Sequence, residues 1–318
     1  MIGPTAAEPT SPAEPLVLGS TQIDDTFAEA FPMSYCRLVV TATDEYWLNA
    51  AVREVTGYSS SVISCDVEAG LERWLTPDST PDGRPGASIL MFGFSAGALA
   101  KAVPNRVGQC VMTCPSSAAY DGMPECESNI PLGKHIRFFG DGYQKSKQID
   151  GRRYWRIPVM DGEFLVEDRL GIASGVGGGN VIVQGLSTVD CLAAVRRATD
   201  ELQRMEGIIT PFPGGVARSG SKVGSRYKSL RASTADAYCP TLRGRVATKL
   251  NAEARCALEI VIDGTDEARV GQAMGAAIRA AAGLGIVSIT AGNYGGKLGK
   301  YHFHLHRLLS SPPAPLTR

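Results

Sequence analysis

A carboxylate, two lysines and three histidines stand out in this chain for the chemistry their placement allows. Glu259 lies inside the apolar run CALEIVI, residues 256–262. A period of two puts Cys256, Leu258, Ile260 and Ile262 on one strand face and Ala257, Glu259, Val261 and Asp263 on the other. On an open sheet face such a carboxylate is simply solvated. If that face lines a cleft, desolvation raises its pKa toward the range of a general acid or base. Lys222 and Lys297 each sit in a glycine-rich segment, IITPFPGGVARSGSKVG (208–224) and IVSITAGNYGGKLGKYHFHL (286–305). Glycine permits close backbone approach and lysine supplies a cation, a combination suited to a bulky anionic ligand. Gly215 to Lys222 approaches a phosphate loop, but its lysine comes one place late and Val223 follows it. That register excludes a Walker A loop and leaves a backbone-lined anion site.

His302, His304 and His306 alternate with Tyr301, Phe303 and Leu305. On a strand the imidazoles share one face, about 6.8 Å apart. Two of them would chelate zinc only with a further ligand, which the sequence does not name, so a polar strand face is the preferred reading. FFGDGYQ (138–144) places Asp141 and Tyr143 on a tight turn, where an Asp satisfies backbone groups.

The elements that must position these residues repeat. Cys36 to Thr41 reads as a strand. Thr43-Asp44-Glu45 then opens a helix, with Thr as cap, that stops near Gly57; a strand is expected at Ser61 to Ser64. Cys256 to Ile262, a helix from Thr265-Asp266-Glu267 to about Ala282, and a strand from Ile286 follow the same plan. Val181 to Gln184, a helix from Thr188 to Met205, and a strand at Ile208 make a third copy. Successive βαβ units predict an α/β (α+β) fold of two similar ferredoxin-like split βαβ sandwich lobes. Between them, short strands at Ile136 to Phe139, Arg153 to Met160 and Glu163 to Glu167 read as a β-meander, with Asp161-Gly162 as a hairpin turn. The expected division is a flexible extension over 1–22, an N-terminal lobe with meander over 23–168, a C-terminal lobe over 169–309 and a flexible tail over 310–318.

Composition narrows the class. The 318 residues carry 32 basic and 32 acidic side chains, for a formal net charge of zero. No basic stripe points to nucleic acid, and no apolar run approaches the roughly 20 residues of a membrane helix. The N-terminus lacks the pattern of a secretory signal. Eight cysteines, none in a CxxC pair, read as reduced thiols of a cytoplasmic protein.

Longer blocks carry a resemblance. IDDTFAEAF (23–31), TPDGRPG (80–86), RVGQCVMTCPSSAAYDGMPE (106–125) and FFGDGYQ come first. PFPGGVARSGSKVGS (211–225), ASTADAYCPT (232–241), EIVIDG (259–264) and SITAGNYGGKLGKYHFHLH (288–306) follow in order. With these blocks the chain resembles formylmethanofuran–tetrahydromethanopterin formyltransferases from about Ile23 to His306. It departs in the N-terminal extension, Gly93–Asn105, 126–134, 242–255 and the C-terminal tail, all read as loops and ends.

The resemblance implies formyl transfer between the amine of a methanofuran or methylofuran carrier and N5 of tetrahydromethanopterin, in one-carbon metabolism. It implies carriers as substrates, with no metal and no prosthetic group. It implies a homo-oligomer, tetrameric in archaeal relatives, or a subunit of the bacterial formyltransferase/hydrolase complex that releases formate. The neutral charge favours the bacterial setting. Glu259 matches a family active-site carboxylate and is assigned proton transfer. Lys222 and Lys297 are candidates for the carrier's anionic groups. Ser219 and Asn293 are candidates for hydrogen bonds near the formyl oxygen, with Asp141, Tyr143 and Gln109 as further binding candidates. Two other classes stay open from sequence: an anion- or nucleotide-binding enzyme, and a non-catalytic scaffold of a formyl-handling complex.

Overall fold

The computed structural model describes residues 15–310. The described residues begin with a small hairpin, β1 (Leu16–Leu18) with β2 (Thr21–Ile23). The first half then runs β3 (Phe27–Thr41), α1 (Glu45–Val55), β4 (Glu68–Leu75), β5 (Gly86–Gly93), α2 (Ala96–Arg106) and β6 (Ala118–Asp121). After β7 (Asn129–Pro131) and the single turn α3 (Gly133–Ile136) comes a meander of β8 (Lys145–Ile149), β9 (Arg152–Val159) and β10 (Gly162–Glu167). The second half runs β11 (Arg169–Gly185), α4 (Thr188–Leu202), β12 (Ile208–Ile209), β13 (Cys256–Gly264), α5 (Glu267–Ala281) and β14 (Ile286–Thr290). β15 (Tyr301–His304) and α6 (Leu305–Ser310) end the described chain.

The two halves share a topology. In the first the strand order is β6-β3-β5-β4, and in the second β14-β11-β13-β12, with every neighbouring pair antiparallel. Phe31–Cys36 of β3 pairs with Ile172–Gly177 of β11 and joins both into one 15-stranded sheet. The helices cover one side of each half. Leu48, Val52, Leu99 and Val103 of α1 and α2 pack on Leu38, Ile89 and Met91. Ala194, Val195, Val270 and Met274 of α4 and α5 pack on Leu258, Ile260 and Ile262. Full burial of each such aliphatic side chain contributes about 1.5–3 kcal/mol. The side of the sheet away from the helices is free to hold a site.

Local signals explain where the helices start. Asp44 caps α1, its Oδ1 accepting from Tyr46 N at 2.9 Å and Trp47 N at 3.1 Å. Asp266 caps α5 in the same way, through Arg269 N at 2.9 Å. The cap in Thr-Asp-Glu is therefore the Asp rather than the Thr, because the carboxylate is the stronger acceptor facing the helix dipole.

Other expectations are corrected. Ser61 to Ser64 is a turn, and the strand comes later, at β4. Ile136 to Phe139 ends α3 and continues as a 3-10 turn over Arg137–Gly140. Gly93–Asn105 holds most of α2, capped by Ser95, despite Gly97 and Pro104. The expected extension over 1–22 is overlapped by β1 and β2; residues 1–14 and 311–318 lie outside the described residues. β11 begins at the expected 168/169 division, yet it pairs with β7 and β3 of the first half before joining β13.

Candidate active site

A cavity of about 420 Å³ opens between the halves, on the sheet side away from the helices. The first half contributes Met33 of β3, the Ser61–Ile63 turn, Glu68 of β4 and Phe94. The second contributes Gly177 and Gly178 of β11, Glu259 and Val261 of β13, and parts of both glycine-rich segments.

Glu259 sits on the cavity wall and is 5% exposed. Period two sends Leu258, Ile260 and Ile262 into the helix-covered core, so Glu259 must face the cleft. Ser221 grips both of its oxygens: Ser221 N donates to Oε2 at 2.6 Å and Ser221 Oγ to Oε1 at 2.7 Å. The glycine-rich loop is seated for this grip. Ala217 N donates to Glu259 O at 2.8 Å, and Gly220 turns at φ +72° against the carboxylate. Burial raises the Glu259 pKa, and the two Ser221 bonds oppose without cancelling it. The result is a nearly buried carboxyl with increased proton affinity, a group suited to passing a proton.

The second glycine-rich segment is organised by Glu29 of β3, which is 2% exposed. Its carboxylate accepts from Tyr294 N, from Leu298 N at 2.9 Å and from Gly299 N at 3.1 Å. Burial pulls the Glu29 pKa upward, but the backbone donors outweigh it and hold the carboxyl below its ordinary value. The two segments touch directly, because Val223 N donates to Tyr294 Oη at 2.7 Å. Asn180 anchors the same segment by accepting from Gly292 N at 2.6 Å. Tyr238 also lines the cavity; burial pushes its hydroxyl up to about 12.

Of the residues singled out from sequence, Glu259, Lys222 and Asn293 line the cavity. Lys222 Nζ is paired with Asp236 Oδ1 at 2.8 Å. Asn293 spends its amide on Thr26 Oγ1 at 3.1 Å and Phe27 O at 3.0 Å, which ties its loop to β3. Ser219 donates to Gly220 O and Lys297 is exposed, both beside the cavity rather than on its wall. Asp141, at φ +51°, and Tyr143 lie on the exposed 138–144 turn; Gln109 is exposed after α2. The structure does not bring these last three to the cavity.

The three histidines do not share a face. His302 and His304 flank Phe27, whereas His306 lies on α6 and its Nε2 meets Ile23 O at 2.9 Å. Among the described residues no group of three His, Cys, Asp or Glu side chains is placed to hold a metal ion. Sequence reading passed over Glu29, Glu68 and Ser221. The first two share the signal that marked Glu259, an acid within an apolar strand-forming run.

Fold and site together define a two-lobed α/β protein with a cleft between its lobes that is lined by buried carboxyls. Two family models match end to end: formylmethanofuran–tetrahydromethanopterin formyltransferase over residues 16–159, and its proximal lobe over 162–308. The chain belongs to the formylmethanofuran–tetrahydromethanopterin formyltransferase family. It is 52% identical to the formyltransferase of that name from Methylococcus capsulatus, over 93% of this chain and all of the relative. It is 47% identical to a subunit of the formyltransferase/hydrolase complex of Methylorubrum extorquens, over 93% and 98% of the two chains. Among solved structures, the Methanosarcina barkeri formyltransferase matches with a TM-score of 0.86 at 42% identity, over 92% of this chain and 100% of that one. A chain of the Methylorubrum extorquens formyltransferase/hydrolase complex, solved with methylofuran, matches at 0.89 and 47% identity, over 94% and 100%.

Proposed function

We propose that the cavity is where a formyl group passes between a methanofuran-type amine, methanofuran or methylofuran, and N5 of tetrahydromethanopterin. The carrying observation is Glu259, a desolvated carboxyl on the cavity wall held at both oxygens by Ser221. In the direction toward the pterin, the N5 lone pair attacks the formyl carbon and the carbonyl oxygen becomes an oxyanion. The bond from carbon to the furfurylamine nitrogen then breaks and the carbonyl re-forms. N5 must lose one proton and the departing amine must gain one. Glu259 takes the first and delivers the second, so no enzyme nucleophile is needed. Binding both carriers side by side supplies much of the remaining acceleration by orientation.

In this reading the glycine-rich segments form the cleft walls against which the carriers lie. Lys222, with Arg226 and Arg245 in the adjoining recess, offers charge to carboxylate or phosphate groups on a carrier tail. Asn293 fixes the wall on which it stands. Ser219, Lys297, Asp141, Tyr143 and Gln109 do not line the cavity and are given no role in this reading.

We read each half as a ferredoxin-like sandwich, supported by the shared strand–helix–strand–strand–helix–strand order and the matching sheet order. We also read the chain as working in an assembly, either a homotetramer or a formyltransferase/hydrolase complex. Exposed Leu186, just before α4, and Val189 and Leu192 on it support a protein neighbour. Eight free cysteines support a cytoplasmic setting.

The test is to mix the purified protein with formylated furan carrier and tetrahydromethanopterin and follow 5-formyl pterin spectroscopically. Formation dependent on both carriers supports the reading, and its absence with folded protein refutes it.

A further inference from the structure

One buried carboxyl pair next to the cavity is not used by the transfer chemistry. Asp263 follows Glu259 and Val261 on the cleft face of β13 and is 0% exposed. Its Oδ1 accepts from Gly178 N at 2.8 Å. Its Oδ2 is the one buried side-chain oxygen among the described residues that finds no ordinary donor. The carboxyl beside that of Asp263 is Glu68, from β4 of the other lobe. Two acceptors bond only if a proton lies between them. Glu68 lines the cavity and accepts from Val62 N at 2.9 Å with Oε1.

The placement is built into the backbone. β11 breaks register against β13 between Val176 and Gly179, and Gly178 turns at φ +87°. That bulge aims the Gly178 N–H at Asp263. A Cβ at Gly177 would press on Asp263 Oδ1 and displace the Met33 sulfur. Each carboxyl thus holds one cavity wall by its backbone: Glu68 the Ser61–Ile63 turn, Asp263 the Gly177–Gly178 bulge.

We propose that Glu68 and Asp263 share one proton and act as a positioning pair, clamping opposite walls of the cleft across the lobe boundary. The inference rests on the cavity being the transfer site. Losing the proton places two charges together in a water-poor site, and the walls part. Burial raises both pKa values and the neighbouring Glu68 carboxyl raises that of Asp263 further, so the pair keeps its proton to higher pH than free carboxyls do and the clamp opens as pH rises through its titration. The other ionisable groups around it do not neutralise the pair. Glu259 lies on the same strand, Glu72 of β4 is engaged by Arg37 of β3, Tyr35 stands on β3, and Asp266 and Arg269 open α5.

The test is the pH profile of carrier KM in wild type, Asp263→Asn and Glu68→Gln, with infrared spectra of the same proteins. Wild-type KM should rise about tenfold per pH unit beyond the midpoint of the pair, as loss of one proton requires. In Asp263→Asn an amide N–H bridges to Glu68 without a titrating proton, so KM should stay flat there. A carboxylic-acid C=O band should vanish from its spectrum. Glu68→Gln should behave alike, and serves if the first variant fails to fold. A folded variant that keeps the wild-type rise of KM with pH and the acid band overturns the pair. The infrared band reports the pair wherever transfer occurs, so full turnover by Glu259→Gln would remove the site and not the clamp.

Discussion

Ser221 holds Glu259 by both oxygens, with its backbone N–H on one and its hydroxyl on the other. One small residue of a glycine-rich loop thereby fixes the orientation of the carboxyl and tempers its proton affinity.

Removing the hydroxyl should move a titration. The Ser221 bonds favour charged Glu259, and burial outweighs them. Ser221→Ala deletes one opposing bond, so the Glu259 pKa rises further and the acid limb of kcat shifts to higher pH. Turnover on the acid side of that limb should fall about tenfold or more, since a hydrogen bond to a charged group is worth about 1.5–3 kcal/mol. An acid limb that stays in place would show that the hydroxyl does not tune Glu259.

Glu29 should govern the other wall. Its folded pKa is lowered, so the stability it confers is present above its unfolded value and is lost as pH falls through the folded one. In Glu29→Gln the backbone N–H groups of Tyr294, Leu298 and Gly299 lose a charged acceptor. Amide exchange at these positions should accelerate, and the acid-side loss of melting temperature should shrink relative to wild type. Unchanged exchange would place the order of 292–299 elsewhere.

The contact between the glycine-rich segments has its own readout. Tyr294→Phe removes the acceptor for Val223 N–H and should cost about 1 kcal/mol. Carrier KM should rise several-fold with kcat little changed, because the proton-transfer group is untouched. A fall in kcat alone would assign the Tyr294 hydroxyl to the chemistry instead.

Gly220 tests the loop geometry. It turns at φ +72°, and a Cβ there would collide with Ala235 and touch Glu259 Oε2. Gly220→Ala should therefore destabilise the protein by about 1–3 kcal/mol and displace Ser221 from Glu259. Thermal melting and turnover should fall together. A variant with wild-type melting and rate would contradict the geometry described.

Much of this was legible in the sequence, and particular residues show where legibility stopped. The two Thr-Asp-Glu helix starts and the β-branched strands exposed the repeated plan, because helix starts and strand periods are local signals. Period two put Glu259 and Asp263 on one face, which the structure shows. β4 was missed because Glu72 and Arg73 interrupt its apolar pattern; Arg37 pairs with Glu72 across the sheet and removes the penalty. α2 was missed because Gly93–Asn105 reads as a loop; Gly97 and Pro104 weaken its helical signal, although Pro104 lies in its last turn. The bonds from Glu29 to Leu298 and from Asp263 to Gly178 join distant parts of the chain. No local pattern encodes them. His306 left the histidine face because the chain turns into α6 at Leu305, one residue past the strand.

The measurement that bears most directly on the mechanism is single-turnover formyl transfer by Glu259→Gln, at saturating levels of both carriers. Gln keeps the shape and can still accept from Ser221, but it cannot take or give the proton. The rate of 5-formyl pterin formation should fall by about two to four orders of magnitude, with carrier affinity and melting temperature near wild type. A rate within a few-fold of wild type would contradict proton transfer by Glu259.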